Sequence, residues 1–253
     1  DTSNAVLKGN LSEKRGGMGA TGSASFGYFA SAFKPADTSN IDRIDYSNDT
    51  ATASPKGYLT AAKQYVAGYS GQANALGPIP GVPIVPATRS ETYPAGGTNY
   101  GYIAGGDPTS AGGTYIYRID FDSDTTTAAP KGNLYVSRKS NSEGAVGNGS
   151  YGYFCGGWSP GHISSIDRMD YGNDTATATP KGNLANPGNN WAAAGNTNYG
   201  WITAGESPST GYMTSINRMD YSSDTGTTVR GNTDNYTRIG TAGNLSSGYW
   251  AGG

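Results

Sequence analysis

The chain is built from short stretches of alternating hydrophobic and polar residues that return at a fixed spacing. Ile41-Asp42-Arg43-Ile44-Asp45-Tyr46 alternates with a period of two, and relatives of it begin at Ile116, Ile166 and Ile216. This alternation predicts β-strands with one face toward a core. The arginines of the four copies are 75, 50 and 50 residues apart. The period is therefore about 50 residues, and one gap holds an insertion of about 25.

A second, more hydrophobic stretch precedes each of these strands. It reads Gly27-Tyr28-Phe29-Ala30 in the first copy and recurs at glycines 101, 152, 200 and 248. Apolar residues at both alternating faces predict a strand buried on both sides. Thr-rich stretches such as Thr50–Ser54 predict a third strand, which the following Pro-Lys-Gly ends. A weaker stretch, such as Met18–Thr21, predicts a fourth.

Four short strands per period of about 50 residues predict an all-β fold, a β-propeller of about five four-stranded blades. A solenoid is the rival, but its repeats are usually shorter. We expect one domain over residues 1–253, with blades at roughly 1–48, 49–123 (insertion at 61–87), 124–173, 174–223 and an incomplete 224–253. The last blade lacks one strand. It has three strands, or the natural chain continues, or another subunit donates the strand; we favour a longer chain, whose ring could hold more than five blades.

Composition excludes several functions. The net charge is −2 and charged residues make up 14% of the chain, so no basic face for nucleic acid is expected. No apolar run is long enough for a membrane helix. The single cysteine, Cys155, is expected to be a small buried residue, and the single histidine, His162, has no cluster of ligands around it. We expect no cofactor and no enzymatic activity.

The order of motifs resembles the kelch repeat. A Gly-Gly follows the hydrophobic strand and an Asp-aromatic pair ends the next one, as in Gly156-Gly157 and Asp170-Tyr171. The Trp expected after the turn is absent, with Ala51 and Ala176 near that place. The wording Ile-Asp-Arg-Ile-Asp-Tyr-Ser-Asn-Asp-Thr, followed by Tyr-Gly-Tyr-Phe-x-Gly-Gly, is similar to repeat proteins of marine tailed phages. That resemblance implies a virion or tail-fibre component.

Charged residues recur in every copy of the Ile-x-Arg strand. An Arg and an Asp two positions apart share one strand face, and we expect them to form buried structural pairs between blades, because a buried charge needs a partner. The alternative is a ring of charges that lines a channel or binds anions. The predicted pairs are Arg43 with Asp45, Arg118 with Asp120, Arg168 with Asp170, and Arg218 with Asp220.

A weak calcium candidate lies in the turns after these strands. Asp120, Asp122 and Asp124 have the spacing with which a calcium loop begins, but the glycine and glutamate of such a loop are absent. Asp and Asn side chains also close turns without any ion. We therefore predict no metal site.

Residues that differ between copies are the candidates for partner contact. The loops after each Gly-Gly carry Tyr115, Trp158 and Tyr212, which suit stacking on sugars or docking a partner. Simple loop drift is the other interpretation. The insertion holds four prolines that keep it extended, and it would be adhesive, fold over a blade, or plug a central channel. Its candidate contact residues are Tyr69, Ile79, Val82, Ile84 and Val85.

These observations favour a non-catalytic structural or adhesion module. The expected partners are other virion proteins or a receptor or glycan of the host surface, and the expected location is the virion or the extracellular space. A homo-oligomer is possible by strand donation. The alternative is a lectin-like propeller that binds glycans. The candidate loops do not repeat one aromatic and polar set, which argues against equivalent sugar sites in every blade.

Overall fold

The computed structural model describes residues 6–23, 25–33, 36–70, 100–107, 112–123, 125–139, 144–209, 211–234, 240–243 and 248–251. Within these ranges the chain forms β-strands, turns and two short 3-10 turns, and no α-helix. None of its described helical segments could cross a bilayer. The strands are β1 Gly19–Gly22, β2 Phe26–Phe33, β3 Asp37–Asp45, β4 Ser54–Ser70, β5 Tyr100–Asp107, β6 Gly113–Asp120, β7 Ala129–Arg138, β8 Ala145–Gly147, β9 Tyr151–Trp158, β10 His162–Asp170, β11 Thr179–Asn183, β12 Ala192–Gly195, β13 Tyr199–Thr203, β14 Glu206–Ser207, β15 Gly211–Tyr212, β16 Ser215–Asp220, β17 Thr227–Asn232, β18 Gly240–Gly243 and β19 Gly248–Ala251.

The strands form antiparallel sheets that repeat one pattern, and the prediction of an all-β chain is confirmed. The long strand β4 pairs with β3 through Lys63 and with β5 from Gln64 onward, so it joins two sheets. We call the successive sheets units 1 to 5. Unit 1 is β1, β2, β3 and residues 54–63; unit 2 is residues 64–70, β5, β6 and β7; unit 3 is β8 to β11; unit 4 is β12, β13, β16 and β17; unit 5 is the pair β18 and β19.

The described sheets are open and do not close into a propeller-like ring. Each unit packs against the next along the chain, through contacts among β1, the second half of β4, β8, β12 and β18. These are the first strands of units 1 to 5. The propeller and the number of its blades therefore remain predictions.

The Pro-Lys-Gly segment corrects one expectation. The sequence predicted that the Thr-rich stretch is the strand and that Pro-Lys-Gly ends it. Instead, strand β11 begins at Thr179 and runs through Pro180, Lys181 and Gly182, while the preceding threonines lie in a turn. Pro180 is tolerated because β11 is the edge strand of its sheet, where a missing amide breaks no ladder.

Aromatic stacking fills the space between units. The tyrosine of the Gly-Tyr strand stacks on the aromatic residue that follows the Ile-x-Arg strand of the next unit. The ring centroids lie 4.9 Å apart for Tyr28 and Phe121, 5.2 Å for Tyr102 and Tyr171, and 5.2 Å for Tyr153 and Tyr221. Tyr28, Tyr102 and Tyr153 are fully buried. The Gly-Tyr strands thus have two buried faces because each unit is covered by its neighbour.

Candidate functional site

One aspartate links each of two units to the unit before it. Asp174 lies in the turn after β10 of unit 3, and its carboxylate accepts from Arg118 of unit 2, with Nη1 to Oδ2 at 2.9 Å. The Nζ of Lys131 lies 3.4 Å from Oδ1, and the hydroxyl of Tyr102 donates to Oδ2 at 3.2 Å. The side chain of Asp174 is nine-tenths buried. Three groups of one unit therefore hold one carboxylate of the next.

The same node recurs one period later. Arg168 of unit 3 forms an ion pair with Asp224 of unit 4, and the Nζ of Lys181 lies 2.9 Å from Asp224 Oδ2. Burial raises the pKa of the Tyr153 phenol, and the nearby charge of Asp224 raises it further. An Asp held by an Arg and a Lys of the preceding unit is thus a repeated contact between units.

These contacts correct the pairing predicted within one strand. Arg118 and Arg168 hold Asp174 and Asp224 of the following unit, 56 positions away. The aspartates two positions after the arginines instead cap their own turns. Their Oδ1 atoms accept the amide two residues on, with N to O distances of 2.9 Å at Asp45, 3.0 Å at Asp120, 2.8 Å at Asp170 and 3.0 Å at Asp220. A short Asp side chain reaches its own turn more readily than an Arg beside it on the strand.

The pKa values of two of these capping aspartates are lowered, mainly by hydrogen bonds within the turn and to a smaller extent by the arginine of the same strand. Hydrogen bonds from Ser47 hold the pKa of Asp45 below its usual value, and the charge of Arg43 is a smaller contribution. Asp220 has a lowered pKa for the same reason, with Ser222 as the main cause and Arg218 as a lesser one. Both carboxylates are exposed, so their role is local.

Each arginine of the Ile-x-Arg strands lies over an aromatic ring of its own unit. The guanidinium carbon is 4.0 to 4.4 Å from the ring centroid in all four copies. The guanidinium groups of Arg118 and Arg168 also pair with Asp174 and Asp224 of the next unit. The pairs are Arg43 with Phe26, Arg118 with Tyr100, Arg168 with Tyr151, and Arg218 with Tyr199.

A second set of charges is buried between units, and the sequence interpretation missed it. Arg138 Nη2 lies 2.8 Å from Asp167 Oδ2, and Arg15 Nη2 lies 3.0 Å from Asp42 Oδ2, with all four side chains almost fully buried. The aspartate precedes the strand arginine, and the cation stands seven residues after the lysine of the Lys-Gly pair. This fixed spacing could have been used to predict the buried pairs from the sequence.

The set differs at the other two junctions. Between units 1 and 2 the cation position holds the buried Lys63, and its Nζ lies 5.9 Å from the centroid of Tyr117, which replaces the aspartate. Between units 3 and 4 the cation position is Gly188 and the aspartate is replaced by Asn217, whose Oδ1 accepts from the amide of Ala185. At this last junction the cation and the acid are lost together, which avoids a buried charge without a partner.

The glycine of the Lys-Gly pair makes room for the next unit. A Cβ on Gly9, Gly132 or Gly182 would lie 1.9 Å from a backbone oxygen of the following turn. The amide of Gly132 donates to Asp174 O at 2.8 Å, and the amide of Ala178 donates to Asn133 O at 2.7 Å. The repeated turn and the repeated Lys-Gly strand therefore form the contact between units, in which the turn of one unit binds the Lys-Gly strand of the unit before it.

The hairpin residues predicted to contact partners lie at equivalent ends of three units. Tyr115 is 55% exposed and Tyr212 is 52% exposed. Trp158 is half-buried, and His162 packs edge-on against it with centroids 4.9 Å apart. The three residues lie where the second strand of a unit turns into the third. They are in different units and do not form one site.

The insertion is described only in part. Residues 61–70 continue strand β4, and Tyr69 pairs with Tyr102 in the register of β4 and β5. Ile79, Val82, Ile84 and Val85 lie outside the described residues.

The aspartates of the calcium candidate do not form a cluster within the described residues, and Cys155 lies in the protein core. Asp120 caps its own turn, Asp122 is exposed, and Asp124 lies outside the described residues. No group of three metal-binding side chains is present among the residues that the structure describes. Cys155 is buried, and burial raises the pKa of its thiol to about 12, which disfavours the reactive thiolate.

A shallow polar cleft of about 390 Å³ lies between the turns of units 3 and 4. Its lining residues are Asn148, Thr197, Asn198, Tyr199, Asp220, Tyr221 and Ser222. They include one carboxylate, which is engaged in its own turn. The cleft therefore offers side chains that can form hydrogen bonds.

No protein-family model matches the chain, and a comparison with curated proteins found no relative.

Proposed function

We propose that this chain is a non-catalytic structural or adhesion module, a virion or tail-associated protein that contacts other virion proteins or the host surface. The observation that carries the proposal is the use of the charged groups. Arg118 and Lys131 both bind Asp174 across a joint between units, and Arg168 and Lys181 both bind Asp224. The repeated chemistry is thus used for architecture, and the non-repeated aromatic hairpins remain for contact.

We also infer that units 1 to 5 are blades of a kelch-like propeller. Support comes from the four antiparallel strands of each complete unit and from packing of each unit on the next in chain order. A propeller with projecting hairpins would present them on one side of a disc, where a flat partner could touch several at once.

Mass spectrometry of purified phage particles tests the assignment to the virion. Peptides of this chain in particles that survive gradient purification are expected. Their absence from particles, with the protein present in lysate, would contradict a virion role.

Binding of the purified chain to intact host cells tests the contact surface. Tyr115→Ala and Tyr212→Ala are expected to lower cell binding, because exposed aromatic rings supply contact area at small entropic expense. Tyr46→Ala is the matched control, since Tyr46 is 50% exposed and lies in the turn that follows β3, at the opposite end of the strand from the hairpin. Equal binding by all three variants would exclude the hairpins as the contact surface.

The alternative is a glycan-binding module, and one observation favours it. The ring of Tyr115 is 55% exposed. Exposed aromatic faces stack well on sugar rings. A glycan array that gives signal with the wild-type chain and loses it with Tyr115→Ala would support the glycan reading over protein contact.

A further inference from the structure

The hairpin of unit 4 contains two additional short strands, β14 and β15, whose register places Glu206 directly opposite Tyr212. The backbone of Glu206 also exchanges two hydrogen bonds with Asn189, with N to O distances of 2.8 and 3.1 Å. Directly opposed residues of antiparallel strands project their side chains from the same face. The side chains of Asn189, Glu206 and Tyr212 therefore form a row across one face of this hairpin.

The row places a carboxylate beside an exposed aromatic ring. Tyr212 is 52% exposed, and Glu206 is half-buried. The exposure belongs to the hairpin end of a unit, since Tyr115 of unit 2, which has a neighbouring unit on either side, is 55% exposed. Within the described residues, no Lys or Arg pairs with Glu206, and none lies over the ring of Tyr212.

Two buried hydrogen-bond acceptors lie close to this carboxylate. Asn190 Nδ2 donates to Glu206 Oε2 at 2.8 Å, and Oδ1 of the same carboxamide receives no donor from the described residues. Asn189 Oδ1 also receives none, and the two residues are only 1% and 5% exposed. Acceptors without donors beside a carboxylate without a cation favour a ligand that is positively charged and carries donors alone.

The chain itself shows which cation suits a ring and a carboxylate together. Arg118 lies over Tyr100 with its guanidinium carbon 4.0 Å from the ring centroid, and it donates to Asp174 Oδ2 at 2.9 Å. Arg168 is bound in the same way one period later. A guanidinium is planar and has five N–H donors and no acceptor, so it can stack on a ring and pair with a carboxylate at once. A sugar hydroxyl both donates and accepts, so this row of acceptors suits it less well.

We propose that Glu206 and Tyr212 form a binding site for an arginine side chain of a partner protein. The guanidinium stacks on the ring of Tyr212 and donates to the carboxylate of Glu206, which Asn190 holds through Oε2. This inference rests on the proposed role of the hairpins as a contact surface, and it adds the chemistry of the partner. The partner presents an exposed arginine where it meets unit 4.

An NMR titration of the isotope-labelled chain with the peptide acetyl-Gly-Gly-Arg-Gly-Gly-amide tests the site. The amide signals of Glu206 and Tyr212 are expected to shift in a saturable manner, and high salt should weaken binding because it screens a partly exposed ion pair. The same peptide with citrulline in place of arginine keeps the shape and loses the charge, so it should bind about fivefold more weakly or less. A lysine peptide should also bind more weakly, because an ammonium group cannot stack as a plane.

Variants of the two site residues test each part of the contact. Glu206→Gln keeps an acceptor for Asn190 and loses the charge, and it is expected to weaken binding of the arginine peptide about fivefold or more. Tyr212→Ala removes the stacking face and is expected to weaken binding as well. Asp122→Asn is the charge-matched control, since it removes one exposed carboxylate from unit 2 and should bind like the wild type. Circular dichroism melting checks folding, and Tyr212→Ala keeps the test decisive if Glu206→Gln disturbs the hairpin.

Several results would overturn the proposal. They are equal affinity for the arginine and citrulline peptides, equal affinity of the wild type and Glu206→Gln, and a sugar that shifts the same amide signals when the arginine peptide does not. Loss of host-cell binding in Tyr212→Ala without any binding of the arginine peptide would refute the arginine site and leave the contact role of the hairpin. Peptide binding at Glu206 with unchanged cell binding in Tyr212→Ala would support the site and contradict the contact role.

Discussion

At the scale of single residues, the sequence predicted that the repeated charges are structural but assigned them the wrong partners. Arg118 was expected to bind Asp120 on its own strand, and it binds Asp174 of the next unit instead. That each arginine pairs with an aspartate could be predicted, because a buried charge needs a partner of opposite charge. The partner depends on which turn is brought to the guanidinium by packing, and no local pattern contains that information.

The Asp174 node predicts a stability effect. Asp174→Asn leaves Arg118 and Lys131 without a counter-charge in a mostly buried joint, so the free energy of unfolding should fall by about 2–3 kcal/mol, reduced from a fully buried pair by partial exposure. Urea denaturation measures the change. Asp170→Asn is the control, because this exposed side chain caps a turn and Asn also accepts the amide of Gly172; its effect should stay within about 0.5 kcal/mol.

The glycine of the docking strand gives a second residue-level prediction. Gly132→Ala places a Cβ 1.9 Å from Ala176 O, and because the obstacle is backbone, the two units must separate. The expected loss of stability is about 2–4 kcal/mol. Gly149→Ala is the control, since a Cβ there meets nothing within 4 Å. Equal melting temperatures for the two variants would contradict a docking role for Gly132.

At the scale of elements, hydrophobic alternation located the two central strands of each unit but misplaced the outer one. The Ile-x-Arg and Gly-Tyr strands were found because their hydrophobic periods are strong. The Pro-Lys-Gly strand was predicted to be a stop because proline breaks central strands. It lies at the sheet edge, where that objection does not apply, and edge position is a property of the assembled sheet.

Strand β9 predicts how stability depends on pH. Burial raises the pKa of Cys155 to about 12, above the ordinary thiol value of about 8.5, and burial also raises the pKa of Tyr153. The folded state therefore binds these protons more tightly than the unfolded state. Their stabilising contribution is complete below pH about 8.5 and is lost as the pH rises toward 12.

Urea unfolding at pH 8 and at pH 10.5 checks this expectation. The thiol alone should account for a loss of about 1 kcal/mol per pH unit in that range. Cys155→Ala should show a shallower decline, because alanine does not titrate and already occupies the equivalent place at Ala30 and Ala104. A decline as steep as that of the wild type would show that Cys155 is not the group responsible.

At the scale of the whole molecule, each described unit contacts its neighbours along the chain. In such an array, stability is close to a sum of unit and interface contributions. A whole period can be removed if every interface that remains keeps matched partners. A junction is matched when its two positions are both charged, as in Arg138 and Asp167, or both neutral, as in Gly188 and Asn217.

Two deletions of 50 residues each test this. Removal of residues 134–183 brings Arg118 to Asp224 and keeps Gly188 with Asn217, so the shortened chain should fold. Removal of residues 139–188 places Arg138 against the neutral Asn217 and buries an unpaired cation, which should lower the free energy of unfolding by several kcal/mol relative to the first deletion. Urea denaturation compares the two. Equal stability would show that the buried pair does not govern how units join.

The sequence by itself determined the period, the two central strands of each unit and the all-β class, because hydrophobic spacing acts locally. The tertiary structure decided the partners. It decided that Asp174 pairs with Arg118 and that the next turn packs against Gly132. It also decided that Arg138 and Asp167 form a buried ion pair. These choices depend on stacking one unit on another, which brings together residues some 30 to 56 positions apart.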